Sequence, residues 1–205
     1  FKAVEINYSF YHLPRRETVE KWQAMAPPGF IYSVKAPRTI THIKRLKNVK
    51  EITGRFLSNI KVLKHHLGPV FFQFPPSFRL DRSLFLEFLK ILPKGFRYAV
   101  EFRHASWFEE GIFDLLKAHN IAVIASDTPK YPYYEVITAD FFYYRLHGHE
   151  KLYASSYSKS QLIYYRDRIK ELVSRGLDVF VFFDNDFQAF APLNALELIR
   201  LLEEK

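Results

Sequence analysis

The sequence predicts an α/β protein of the TIM type, a (β/α)8 barrel that lacks its first βα unit in this chain. Three observations carry that expectation. Seven short runs rich in valine, isoleucine, phenylalanine and tyrosine alternate with helix-like segments, and strict alternation implies a parallel sheet. The runs are almost continuously apolar, as strands covered on both faces are. The rival, a doubly wound open sheet, normally carries a glycine-rich phosphate turn after an early strand, and none of the seven glycines builds one. The chain starts at Phe1 and its only methionine is Met25. Seven units and such a start lead to the expectation of one further unit upstream, with residues 1–205 forming a single, N-terminally incomplete barrel domain.

The strand runs are AVEIN (3–7), FIYSVKA (30–36), PVFFQFP (69–75), RYAVEFR (97–103), IAVIASD (121–127), FFYYRLHG (141–148) and DVFVFFDND (178–186). Helical stretches fall between them. Pro14 suits the first turn of a helix reaching about residue 26. Asp81 is placed to cap a helix carrying Leu84, Phe85, Phe88 and Leu89 on one face. Ser106 with Glu109, and Ser158 with Gln161, have the spacing of capping boxes. Asn120 and Gly176 stand where helices stop. Pro192 opens a last helix over 192–204.

Composition narrows the function classes. With 48% hydrophobic residues over 205 positions there is material for one sizeable core. No apolar run reaches the roughly 20 residues a membrane helix needs, and no secretory signal pattern is present, so the expected location is cytoplasmic, without a membrane partner. Absence of cysteine excludes disulfides, a cysteine nucleophile and thiolate-bound zinc. A net charge of +8 favours anionic partners. Between Glu20 and Glu51 there is no acidic residue, while Lys21, Lys35, Arg38, Lys44, Arg45, Lys47 and Lys50 lie there. Such a run is either a solvated surface or an anion-binding rim.

In a TIM-type barrel the site is built at the C-terminal strand ends, and alternation along each strand sorts side chains into two faces. The polar residues that parity sends to that mouth are Glu5, Asn7, Lys35, Gln73, Glu101, Arg103, Asp127, Arg145, His147, Asp184 and Asp186. Folding alone gives no reason to end most strands in charge, because buried charge is costly unless paired. Glu101 with Arg103, and Asp184 with Arg145, could equally be structural ion pairs closing the mouth.

The stretches VEINYSFYHLP (4–14), FIYSVKAPRTITHIKRL (30–46), GPVFFQFPPSF (68–78), YAVEFRHASWF (98–108), TADFFYYRLHG (138–148) and VFVFFDNDFQAFAPLNAL (179–196) resemble the YecE-like family, also called domain of unknown function 72. The resemblance spans the whole chain with motifs in order. It implies a TIM-barrel fold and brings no assigned activity. It marks Tyr11, Thr41, His42, Pro75, His104, Trp107, Gly148, Asn185 and Asn194, beside every mouth residue except Asp127, as motif positions. A Gly-Thr-Ser-Gly-Trp-like segment usual upstream in the family is absent here, and His149 departs from its pattern.

Three chemistries fit these residues. Glu101, His147 and Asp184 are the catalytic candidates. Asn7, Tyr11, Lys35, His42, Gln73, Arg103, His104, Trp107, Arg145 and Asn185 are the substrate-binding candidates. Glu5, Glu101, Asp184 and Asp186 are candidate ligands for a divalent metal, magnesium, manganese or zinc. A basic rim around an acidic centre favours hydrolysis of a phosphate ester, of the metal-assisted phosphodiesterase or nuclease kind. The alternatives are a metal-free sugar or small-acid isomerase or lyase, and a non-catalytic module binding nucleic acid or another anion. For nucleic acid, the aromatics Tyr8, Phe10, Tyr11, Trp107, Tyr153 and Tyr157 would join the basic stretch on the rim.

Overall fold

The computed structural model describes residues 1–204. The chain divides into two compact units, Phe1–Trp107 and a second from Phe108 onward. In each unit every assigned strand pair is parallel and the strand order follows the chain order. No helix among the described residues is long and apolar enough to cross a membrane.

The first unit contains β1 (Ala3–Ile6), α1 (Tyr8–Tyr11), α2 (Arg16–Met25), β2 (Ile31–Lys35), α3 (Lys50–Ile60), β3 (Leu67–Phe74), α4 (Arg82–Lys90) and β4 (Tyr98–Phe102). β3 and β4 are buried along nearly their whole length, which is why their sequences do not alternate. Their register sets Gln73 opposite Glu101 and Phe74 opposite Phe102. Phe74, Phe102 and Trp107 stack with ring centroids 4.7–5.3 Å apart. Phe85 of α4 meets Trp107 edge-on at 5.1 Å. Each such ring contributes about 1.5–3 kcal/mol through burial. Asp81 caps α4 by accepting a hydrogen bond from the Leu84 amide at 3.0 Å, as its position predicts. At Gly68 a Cβ would stand 2.4 Å from Ile31 Cγ2 and 3.3 Å from the Tyr32 carbonyl oxygen. Glycine is what lets β3 start this close to β2.

The second unit contains α5 (Glu110–Ala118), β5 (Ile121–Asp127), β6 (Phe141–Leu146), α6 (Lys159–Ser174), β7 (Asp178–Phe183) and α7 (Phe190–Glu203). Phe142, Tyr144 and Leu146 of β6 pack with Leu162, Tyr165, Ile169 and Leu172 of α6 and with Leu198 and Leu201 of α7. The Ser158–Gln161 capping box opens α6. Asn120 and Gly176 adopt φ of +52° and +83° just past α5 and α6, as helix-stop residues do. Thr138 bridges the start of β5, accepting from the Val123 amide at 3.0 Å and donating to the Ile121 carbonyl at 2.7 Å.

Two sequence expectations change. Ser106 does not cap α5: it sits in a short 3-10 turn, Ala105–Trp107, where its hydroxyl accepts from the Leu80 amide at 2.8 Å and meets His104 Nδ1 at 2.9 Å. Glu109 is instead the N-cap residue of α5. α2 begins at Arg16 rather than Pro14.

Candidate functional site

In the first unit, the strand ends gather one connected polar group. β1 ends at Ile6 and the chain folds straight into the single turn of α1. Ser9 on that turn is buried and donates to the Lys35 carbonyl at 2.6 Å, pinning α1 to the last residue of β2. Phe10 is thereby laid beneath the Lys35 ammonium, 4.2 Å from the ring centroid. An apolar ring face attracts the cation and excludes water from one side of it. After β2 the chain makes a π-helical turn, Thr39–Ile43, a conformation frequent at functional sites. It presents His42 edge-on to the same Phe10 ring at 5.0 Å, with Thr41 Oγ1 at 2.8 Å from His42 Nδ1.

Glu101 is fully buried. Gln73 Nε2 donates to both of its oxygens, at 3.0 and 2.9 Å, and Arg103 Nε donates to Oε1 at 2.8 Å. The carboxylate is therefore charge-paired and fixed in orientation. Its arrangement in turn aims Arg103. His42 is pushed down from 6.5 to about 4, first by burial and then by the positive charges of Lys35, Arg103 and Arg38, with Glu101 opposing. At neutral pH the imidazole is uncharged and can accept a proton.

In the second unit, Arg145, His147 and Asp184 form a triad, with Asp184 partly exposed. Arg145 Nη2 donates to Asp184 Oδ2 at 3.1 Å, His147 Nδ1 lies 2.9 Å from the same oxygen, and Arg145 Nη1 lies 3.3 Å from His147 Nε2. Arg145 and His147 are buried. Asp127, the last residue of β5, accepts from Tyr165 Oη at 2.7 Å and lies 3.0 Å from His149 Nδ1.

The other sequence candidates take varied places. Asn7 donates to Glu5 Oε1 at 3.1 Å. Tyr11 is exposed, its ring edge-on to Phe10 at 5.0 Å. Trp107 is wholly buried, its indole N–H donating to the Phe78 carbonyl at 2.6 Å, so no face of it is open to a ligand. Phe10 and Tyr157, expected with Trp107 on an aromatic rim, are likewise buried, whereas Tyr8, Tyr11 and Tyr153 are exposed. Asn185 is buried and donates to the Ser155 carbonyl and to Asn194 Oδ1, both at 2.9 Å, which fastens a loop. Asp186 is exposed and precedes a 3-10 turn, Phe187–Ala189.

The metal expectation is not matched by the donor arrangement. Among the described residues no group of three or more His, Asp or Glu is placed to hold a metal ion. Glu101 is held by Gln73 and Arg103, and Asp184 by Arg145. Phe10 and Arg38, expected only on an aromatic rim and in the basic stretch, join the first unit's group because of how the turns after β1 and β2 fold.

These strand-end groups define an α/β protein of the TIM type whose polar residues are collected where parallel strands finish. The chain belongs to the family described as "Protein of unknown function DUF72", whose sequence pattern matches residues 1–205. It is 32% identical over 112 residues to the UPF0759 protein YecE of Escherichia coli (strain K12), covering 54% of this chain and 41% of that relative's length. It is 26% identical over 236 residues to the UPF0759 protein YunF of Bacillus subtilis (strain 168), covering 99% of this chain and 84% of the relative. A DUF72 family protein of Thermotoga maritima MSB8 superposes with a TM-score of 0.88 at 32% identity, over 100% of this chain and 85% of that one. A DUF72 family protein of Enterococcus faecalis V583 gives 0.87 at 19% identity, covering 100% and 86%, a likeness of fold alone.

Proposed function

We propose that the strand-end group of the first unit is a metal-free acid–base site for a small anionic molecule, of the isomerase or lyase kind. The observation that supports it is His42, a neutral imidazole held among Lys35, Arg103 and Arg38. In this reading Lys35 and Arg103 hold a carboxylate or phosphate on the substrate, Arg103 in the orientation set by Glu101 and Gln73. His42, neutral before the substrate arrives, takes the proton from carbon or oxygen, its basicity rising as the bound anion offsets the neighbouring positive charges. Lys35, shielded by Phe10, stabilises the negative charge that develops. The metal-assisted phosphodiesterase reading loses ground because its carboxylates are engaged by Arg103 and Arg145.

The test is solvent exchange. The protein is incubated in deuterated water with a panel of hydroxy acids, keto acids and sugar phosphates, and deuterium incorporation is followed by NMR. Exchange that is lost in His42→Gln and needs higher substrate in Lys35→Met supports the reading. No exchange across the panel, with inorganic phosphate leaving the Lys35 and His42 signals unmoved, overturns it.

A further inference from the structure

The second unit holds a cavity of about 470 Å³ that the acid–base reading does not use. That is the size of a small-molecule site. Its wall is mostly apolar and includes Tyr133, Tyr164 and Tyr165, with Asp127 and His149 also on it. Tyr164 and Tyr165 meet edge to face at 5.3 Å.

The tyrosine hydroxyls are anchored on carboxylates. Tyr133 and Tyr164 both donate to Glu135 Oε1, the second at 3.2 Å, and Tyr165 donates to Asp127 Oδ2. Arg168 braces Glu135 with a 2.8 Å hydrogen bond. The phenol rings are thus fixed before any ligand arrives, and their carbons supply apolar wall. Burial raises all three phenols above their ordinary range, so they stay neutral. Asp127, 6% exposed, places a carboxylate at the cavity wall. In a chain of net charge +8 this wall joins a buried carboxylate to tyrosine rings, and among the described residues no lysine or arginine side chain lines it.

We infer that this cavity is a binding site for a small organic cation, a quaternary ammonium or protonated amine, held by the Tyr133, Tyr164 and Tyr165 rings and the Asp127 carboxylate. Ring quadrupoles attract a weakly hydrated cation, and a fixed cage spends little entropy in doing so. The carboxylate selects the cation over a neutral molecule of the same shape.

Calorimetric titration of the full chain with benzyltrimethylammonium, and with benzyl alcohol as the neutral comparison, tests this. Saturable one-to-one binding of the cation is expected, at least tenfold tighter than the alcohol. Asp127→Asn and Tyr164→Ala should each weaken it at least tenfold. Tyr164 is 49% exposed, so its variant folds even if the Asp127 variant does not. No saturable binding, equal binding of the alcohol, or cation binding unchanged in Tyr164→Ala would overturn the assignment. Because His42 and Lys35 take no part, loss of solvent exchange in the earlier experiment leaves this outcome independent.

Discussion

Removing Arg103 exposes the energetics of the first unit's polar group. Glu101 has no solvent-accessible surface and the Arg103 side chain is only 12% exposed. Arg103→Ala therefore takes from an interior carboxylate a charge-assisted hydrogen bond of 2.8 Å. Breaking a buried pair in this way costs about 3–5 kcal/mol, and the slight exposure of the arginine points to about 3 kcal/mol. Adding Glu101→Gln takes away the buried negative charge while leaving a group that can still face Gln73. The double variant should lose only about 1 kcal/mol, about 2 kcal/mol less than Arg103→Ala alone. For a chain of this length 1 kcal/mol moves the melting temperature by about 2–4 °C. Arg103→Ala should thus melt about 6–12 °C lower and the double variant about 2–4 °C lower. Urea unfolding of the four proteins in the cycle gives the free energies directly. An Arg103→Ala protein within 1 kcal/mol of the parent, or a double variant as unstable as the single one, would refute the claim that Arg103 sustains the buried charge.

His42 makes stability depend on pH. Its folded pKa of about 4 lies below the unfolded 6.5, so the unfolded chain takes up the proton first. The stabilisation is complete above pH 6.5 and is lost as pH falls toward 4, by at most about 3 kcal/mol before solvent screening. His42→Gln should flatten that part of a urea midpoint-against-pH curve. Gly148 has φ +101°, and a Cβ there would stand 2.6 Å from the Lys151 carbonyl oxygen and 2.9 Å from Ser155 Oγ. Gly148→Ala should cost about 2–3 kcal/mol, seen as a lower thermal midpoint. Asn194 is buried and accepts from the Tyr157 amide at 3.1 Å and from Asn185 Nδ2 at 2.9 Å. Asn194→Ala should cost about 2–3 kcal/mol by leaving buried donors unmatched, with faster proteolysis around residues 153–157.

The strand runs were legible because apolar β-branched and aromatic residues cluster so densely. IAVIASD coincides with β5, and DVFVFFDND overruns β7 only at its acidic end, Asp184 to Asp186. Parity correctly put Gln73 and Glu101 together, since the parallel register pairs them directly. The anticipated Glu101–Arg103 and Asp184–Arg145 ion pairs are both present. What spacing could not give was the turn chemistry. The π-helical turn that carries His42 has no sequence signature, and the one-turn helix that lays Phe10 under Lys35 is set by a single long-range hydrogen bond from Ser9. Ser106 and Glu109 have the spacing of a capping box, but Ser106 finds Leu80 instead, 26 positions back in the chain. Trp107 looked like a rim residue because it follows a strand end, yet the ring stack of Phe74 and Phe102 draws it into the core. Asp127 meets His149 across 22 positions and Tyr165 across 38, and no local pattern announces that.

The most direct measurement is the ionisation of His42, followed through its ring carbon signals by NMR from pH 3 to 8. A pKa near 4 that rises when Lys35 is replaced by methionine, and that rises also on adding inorganic phosphate, is the expected result. A value near 6.5, indifferent to both changes, would contradict a neutral imidazole poised among cations and with it the proposed acid–base site.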